Sequence, residues 1–257
     1  MLLQETRLRG LSLGSAPWFA AQRRLIEEKR LLKHCYDTWY AALLRDEASV
    51  PIGNHGILLE LGSGGSYLAE LRPDVVTSDI VAGLASRVID ARQLPFEDSS
   101  VRAIFLTHAL HHIPQVEVFF AEAQRVLVPG GVVAMIEVAH TPLARAFFGH
   151  LHPEPYDDHA QSWDFAQENA MSDANQALSW LAFVRDRPEF ERLFPRLSVE
   201  TIEYLPWFSY LMSGGVTRRS LLPGRLSGLA LAVDAGTRPL SRLLALHWHI
   251  TLRKSGT

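Results

Sequence analysis

From about residue 55 to residue 140, apolar positions alternate between short strand-like runs and helical stripes. Ile57-Leu58-Leu59 follows the breakers Pro51, Gly53 and Asn54 and reads as a short buried strand. DVVTSD (74–79), RVID (87–90), RAIFLT (102–107) and VVAMIEV (132–138) read as four further strands. Before the last of these, Val116, Phe119, Phe120, Ala123, Val126 and Leu127 share one helical stripe, which Pro129-Gly130-Gly131 is expected to end. Upstream, residues 17–46 read as a single helix. Ser15 can cap it, Pro17 suits its first turn, and Leu25, Leu32, Tyr36, Trp39 and Leu43 recur at helical spacing.

The second half is less regular. Residues 140–179 read as a long connection, 183–194 as a helix, 197–204 as a strand and 246–253 as a last, alternating strand. β-branched strands separated by helices predict an α/β fold, with a mostly parallel doubly wound sheet covered on both faces. One spacing is short. Only IVAGLAS (80–86) joins the second strand to the third, so that crossover must shrink to a turn.

Composition narrows the class. A chain of 257 residues with 47% hydrophobic and 21% charged residues is that of a globular protein able to bury a core without staples. The single Cys35 excludes an intramolecular disulfide and reads as a passive helix residue. The N-terminus lacks the apolar stretch of a secretory signal, and no window has the ~18 apolar residues of a membrane span, so a cytoplasmic location is expected. Net charge is −3 but uneven: residues 205–257 carry seven basic residues and one acid, Asp234. This asymmetry suits an anionic partner or a solvated basic surface.

The chemistry-bearing residues lie at the ends of the predicted strands. In an open parallel sheet, ligands bind outside the carboxyl ends of the strands. Glu60 and the loop Gly62-Ser63-Gly64-Gly65-Ser66 follow the first strand, Asp79 ends the second, and Asp90 ends the third. A dinucleotide loop would want G-x-G-x-x-G, and Tyr67 occupies the third glycine position. Ser66 can instead cap a short helix, YLAEL, although Ala69 denies it a full capping box.

Together, Glu60-Leu61-Gly62-Ser63-Gly64, Asp79, Asp90-Ala91, LPF (94–96), THALHHIP (107–114) and RVLVPGGVVAMIEV (125–138) resemble the class I S-adenosylmethionine-dependent methyltransferases of the type 11 kind. The resemblance is dense over residues 55–140. It implies a seven-stranded Rossmann-like sheet with an N-terminal helix, a helical cap, and a last strand antiparallel beside the fifth. It also implies the division 1–50 N-terminal helical segment, 51–140 cofactor core, and 141–257 sheet completion with an acceptor-side cap, in one domain overall. The implied cofactor is S-adenosylmethionine. Gly62 and Gly64 would admit its methionine and ribose portions, Asp79 would grip the ribose hydroxyls, and Asp90 with Ala91 would meet the adenine. Glu60 would favour the methionyl ammonium, and Leu61, Ser63, Ile80 and His108 complete the implied cofactor contacts.

The acceptor side is less determined. His108, His111 and His112 either line the cofactor site or pack. If one is a general base, His112 is the choice, followed by His111. His152-Pro-Glu154-Pro-Tyr156-Asp157-Asp158-His159 matches no standard metal spacing and reads as a loop over the acceptor pocket, so no metal site is expected. Together with IVAGLAS and SWLAFVRDR (179–187), it is similar to a methyltransferase subgroup of bacterial cell-surface polysaccharide assembly. The resemblance implies methylation, at oxygen, of a small-molecule or lipid-linked glycan acceptor. Nucleic acid is not expected, because the Asn/Asp-Pro-Pro-aromatic run of nucleic-acid N-methylation is absent and Thr107-His108-Ala109-Leu110 stands there. The basic region near Trp207, Phe208, Tyr210 and Leu211 is expected either to touch a membrane surface or to cap the site. A nicotinamide-dependent oxidoreductase and a non-catalytic cofactor-binding protein of the same fold are the rival readings.

Overall fold

Alternation along the strands divides the core into two layers. The strands are β1 (Ile57–Leu61), β2 (Val75–Asp79), β3 (Arg87–Val88), β4 (Val101–Thr107), β5 (Leu127–Val138), β6 (Leu197–Tyr204) and β7 (His247–Lys254). Leu59, Leu61, Ile104, Leu106, Val133 and Met135 face one layer, and Leu58, Ala103, Phe105, Ala134 and Ile136 face the other. The computed structural model describes residues 4–256. Its sheet runs β3-β2-β1-β4-β5-β7-β6, with parallel pairing throughout except that β7 is antiparallel to both β5 and β6. This is the mostly parallel seven-stranded sheet expected, with the last strand inserted beside the fifth. The crossover over residues 80–86 contains only turns and bends.

The helices are α1 (Ala16–Glu28), α2 (Arg30–Ala48), α3 (Leu68–Leu71), α4 (Val116–Val126), α5 (Pro142–Leu151), α6 (Leu178–Trp180), α7 (Arg187–Leu193), α8 (Phe208–Ser213), α9 (Ser227–Thr237) and α10 (Ser241–Leu244). Among the described residues, none is long and apolar enough to cross a membrane.

Three expectations are corrected. The helix over 17–46 is two helices, broken at Lys29, whose backbone is extended (φ −80°, ψ 100°). No proline or glycine causes the break. The buried Lys29 ammonium donates to the carbonyls of Gly215 and Arg218, and the turn frees α1 to lie over the glycine loop while α2 packs on the sheet. Second, Pro129-Gly130-Gly131 lies inside β5 as a bulge. Val101 pairs with Leu127 and Ala103 with Val132, so the three residues loop out, and α4 has already ended at Val126. Third, the helix over 183–194 is interrupted at Asp186, because Pro188 starts α7 afresh after a π-helical turn (Leu181–Arg185).

The polar face of β7 anchors α2. His249 Nε2 lies 2.8 Å from Asp46 Oδ2, and Thr251 Oγ1 donates to the same oxygen at 2.5 Å. Asp46→Asn keeps one acceptor and disturbs the shared oxygen, so it is expected to destabilise the fold by about 1–2 kcal/mol. Urea unfolding checks this, and an unchanged midpoint would remove the anchor from the account.

Candidate functional site

The loop after β1 is built around one carboxylate. Glu60 is 1% exposed, and its Oε1 accepts from Ser66 Oγ at 2.6 Å. Ser66 Oγ in turn accepts from Tyr40 Oη at 2.9 Å and from the amide of Leu68 at 3.0 Å. The N-cap of α3 is Tyr67, without a side-chain bond, so Ser66 sits one residue before the cap position and orients Glu60 while holding the first helical amide. Glu60 Oε2 is buried with no partner. Burial pushes the Glu60 carboxyl up to about 7. A buried carboxylate oxygen lacking a donor fits a ligand that carries an ammonium group.

The loop glycines answer to protein neighbours as well as to a ligand. Gly62 and Gly64 have φ of +65° and +45°. A Cβ on Gly62 would come 2.7 Å from Ala109 Cβ, and one on Gly64 would come 2.6 Å from Phe19 Cε1 of α1. Gly62→Ala is therefore expected to cost about 1–3 kcal/mol of stability and to lower cofactor affinity with it. Thermal unfolding and calorimetry read the two effects; a variant as stable as the parent would refute the packing argument. Ser63 sets the turn: its amide donates to Ser78 O at 2.9 Å and its hydroxyl accepts from the Ser78 amide at 3.1 Å.

Asp79 ends β2, whereas Asp90 lies two residues past the short β3 and not at its end as expected, and the two acids are held differently. Asp79, 6% exposed, accepts the Gly64 amide on Oδ2 at 3.1 Å and the Val81 amide on Oδ1 at 3.0 Å. Each oxygen keeps acceptor capacity toward the cavity that Asp79 and Ile80 line. Asp90 meets the Arg92 side chain at 2.7 Å, and that hydrogen bond holds its carboxyl below the usual range. One edge of Asp90 is thus already committed, while Ile89, Ala91 and Arg92 line the cavity beside it.

The histidines after β4 gather around acids from distant segments. Glu137, buried at the end of β5, accepts the amides of Ala109 and Leu110 on Oε1 at 3.1 and 2.8 Å. Its Oε2 lies 2.5 Å from His111 Nδ1. Burial would lower the His111 imidazole, but the charge and hydrogen bond of Glu137 outweigh it and raise it to about 10. Burial would raise the Glu137 carboxyl, and the His111 charge holds it down instead. His112 is lowered to about 4, by burial and then by the charge of His111. His108, with φ +55°, is lowered to about 4 by burial, and its ring packs edge-on against Trp39 and His247.

The second half of the chain supplies the remainder. His152, Glu154, Gln176, Tyr210 and His247 line the same cavity of about 260 Å³ as the glycine loop. Glu154 is brought down to about 2: burial opposes this, but the positive charge of nearby His111 prevails. The HPEPYDDH stretch divides. His152 and Glu154 enter the cavity, whereas Asp158 pairs with His140 and Arg145 in a separate cleft and His159 is exposed. Tyr210 turns inward to lie 4.3 Å, ring to ring, from His247, so it does not belong to the outer basic face. Asp234 caps α8 by accepting the amides of Trp207, Phe208 and Ser209. α1 and residues 167–171 close the cavity through Trp18, Phe19, Gln22, Gln167 and Met171.

Sequence reasoning missed Glu137 and His247, and it gave Glu154 no partners. The one available signal was position: Glu137 ends a predicted strand on the same rim as Glu60 and Asp79.

Residues 59–135 match the family described as a methyltransferase domain. Over 73 residues, 28% of this chain and 25% of the relative, the sequence is 38% identical to phthiotriol/phenolphthiotriol dimycocerosates methyltransferase 1 of Mycobacterium ulcerans. Over 89 residues, 35% of this chain and 32% of the relative, it is 29% identical to the ubiquinone/menaquinone biosynthesis C-methyltransferase UbiE of Brucella canis. The chain thus spans only about a quarter to a third of the curated relatives it matches. The fold is similar to geranyl diphosphate C-methyltransferase from Streptomyces coelicolor A3(2), solved with Mg2+, geranyl-S-thiolodiphosphate and S-adenosyl-L-homocysteine. That likeness has a TM-score of 0.51 and 14% identity, covering 97% of this chain and 84% of the other. The glycine loop and Asp79 fall within the matched methyltransferase domain, and with the fold they make the chain similar to the class I S-adenosylmethionine-dependent methyltransferases.

Proposed function

We propose that the protein transfers the methyl group of S-adenosylmethionine to the oxygen of a small-molecule or lipid-linked acceptor. The carrying observation is continuity: one cavity runs from Glu60, Gly62, Asp79 and Asp90 to His111, His112, Glu154 and His247. In this reading Glu60 meets the methionyl ammonium through its free oxygen, and Asp79 accepts from the ribose hydroxyls. Asp90 and Ala91 border the adenine, Gly62 and Gly64 admit the ligand's backbone side, and Leu61, Ser63, Ile80 and His108 complete the wall. The sulfonium supplies an electrophilic methyl, and the enclosing residues supply orientation and exclude water.

The acceptor enters at the histidine end. His111 already carries a proton between Glu137 and Glu154, so it is poorly suited to take another. His112 is neutral at pH 7 and offers an imidazole lone pair toward the acceptor. The cover formed by α1 and residues 167–171 favours a small reacting group over a folded macromolecule.

A lipid-linked acceptor has one supporting observation. Arg219, Arg225, Arg238 and Arg242 are exposed among the exposed Leu221, Leu226, Leu229, Leu240 and Leu243, an arrangement suited to an anionic bilayer surface. Sedimentation with phosphatidylglycerol vesicles is expected to retain the protein at low salt and release it at high salt. No retention would leave the free small-molecule acceptor.

Incubation with methyl-labelled S-adenosylmethionine and separate polar and lipid extracts tests the main reading. Label is expected in an alkali-stable methyl ether. A melting temperature raised by a nicotinamide dinucleotide and not by S-adenosylmethionine would overturn it, and cofactor binding without labelled product in any extract would favour a non-catalytic protein.

A further inference from the structure

We propose that His111, His112 and Glu154 bind one divalent transition cation at the acceptor end of the cavity. One ligand atom of each lies within 4.8 Å of the others. His111 Nε2 and His112 Nε2 stand 3.6 and 3.8 Å from the same oxygen, Glu154 Oε2. These separations are too long for ordinary hydrogen bonds. Nitrogen and oxygen ligands about 2.0–2.2 Å from a tetrahedral zinc stand roughly 3.4 Å from one another, so each imidazole need approach the carboxylate oxygen by only a few tenths of an ångström, and the two imidazoles, with ligand atoms within 4.8 Å, draw together around the cation.

The surroundings orient the ligands toward a shared cation. Each imidazole is engaged at its other nitrogen by an oxygen: Glu137 Oε2 lies 2.5 Å from His111 Nδ1, and the Asp173 carbonyl lies 3.4 Å from His112 Nδ1. An acceptor at Nδ1 keeps the proton there and turns the Nε2 lone pair toward a cation. Glu137 is itself fixed by the amides of Ala109 and Leu110, and Gln176 Nε2 donates to Glu154 Oε2 at 2.8 Å. A bound cation would replace the proton that His111 Nε2 otherwise presents to Glu154.

Two imidazoles and one carboxylate suit Zn2+, Co2+, Fe2+ or Mn2+ better than Mg2+ or Ca2+. Three protein ligands also leave coordination positions open. All three residues line the cavity, so an acceptor oxygen entering there could complete the coordination shell. That last step rests on the proposed methyl transfer; the cation site does not. With the cation bound, the His112 lone pair is committed, and the acceptor oxygen is polarised by coordination instead.

The test is titration of the full, metal-stripped chain with Co2+ near neutral pH, followed by its visible spectrum, with Zn2+ as competitor. One equivalent of Co2+ is expected to give d–d bands that Zn2+ abolishes. His112→Ala and Glu154→Gln are expected to lose the bands at that stoichiometry, and Glu137→Gln to weaken binding about 10–100-fold through the imidazole it orients. Absence of d–d bands and of saturable Zn2+ binding in the parent protein would overturn the proposal, as would parental affinity in both ligand variants. If Glu154→Gln does not fold, as judged by circular dichroism, His112→Ala carries the comparison. S-adenosylmethionine affinity measured on the same stripped samples separates the two readings: cofactor bound without any metal site refutes only the cation, and metal bound without cofactor refutes only the methyl transfer.

Discussion

Asp79→Ala is expected to weaken S-adenosylmethionine binding by about 3 kcal/mol, roughly 100-fold, from the loss of two charge-assisted hydrogen bonds to the ribose. The carboxylate is suited to this work because both its oxygens are already aligned by backbone amides, Gly64 on Oδ2 and Val81 on Oδ1. Those bonds fix the plane of the group and leave a lone pair on each oxygen for a diol. Asp79→Asn, which keeps one acceptor and turns an amine toward a backbone N–H, is expected to fall between the alanine variant and the parent. Calorimetric titration measures both. Affinity unchanged in Asp79→Ala would remove Asp79 from ribose recognition, and the cofactor's orientation in the cavity with it.

Glu60→Gln is expected to weaken the same binding by about 2 kcal/mol and to abolish a pH dependence that the parent protein shows. Burial raises the Glu60 carboxyl to about 7, so the unliganded protein is partly protonated there at neutral pH. The methionyl ammonium favours the ionised form, so cofactor affinity should rise as pH increases from below 7 to above it. Binding below pH 7 should release close to one proton, measurable from calorimetry in buffers of different ionisation enthalpy. The stability of the empty protein should move the other way. Because the folded pKa lies above the unfolded value, Glu60 contributes most below the unfolded pKa, and its contribution is lost as pH rises toward 7. Affinity flat in pH, or no proton release, would refute the assignment of the free oxygen to the ammonium.

Both residues are legible in the amino-acid sequence. Glu60 and Asp79 stand at strand ends, and a strand followed by glycines announces itself through local preferences alone. The seven-stranded order is legible too, since alternating strands and helices leave few ways to cover both faces of a parallel sheet. The break at Lys29 is not. Nothing between Glu28 and Arg30 opposes a helix, and the turn exists because a buried ammonium finds the carbonyls of Gly215 and Arg218. The bulge at Pro129-Gly130-Gly131 escapes local reading for a related reason. Those residues do break regular structure, but the pairing of β4 with β5 decides where the break falls.

Ser66 shows the division within one side chain. Its bond to the Leu68 amide follows from the chain a few residues to either side, although the cap position itself falls to Tyr67. Its bonds to Glu60 and Tyr40 depend on where α2 rests.

The sequence by itself determined the fold class and the place of the glycine loop with Glu60 and Asp79 beside it, because short-range glycine geometry and strand periodicity suffice for them. The tertiary structure alone decided the histidine end of the cavity. His111, His112, Glu137, Glu154 and His247 come from four separate segments of the chain, and what each can do depends on shared burial and on which carboxylate faces which ring. Electrostatic coupling among buried groups is a property of distance in space, and spacing along the chain carries no record of it.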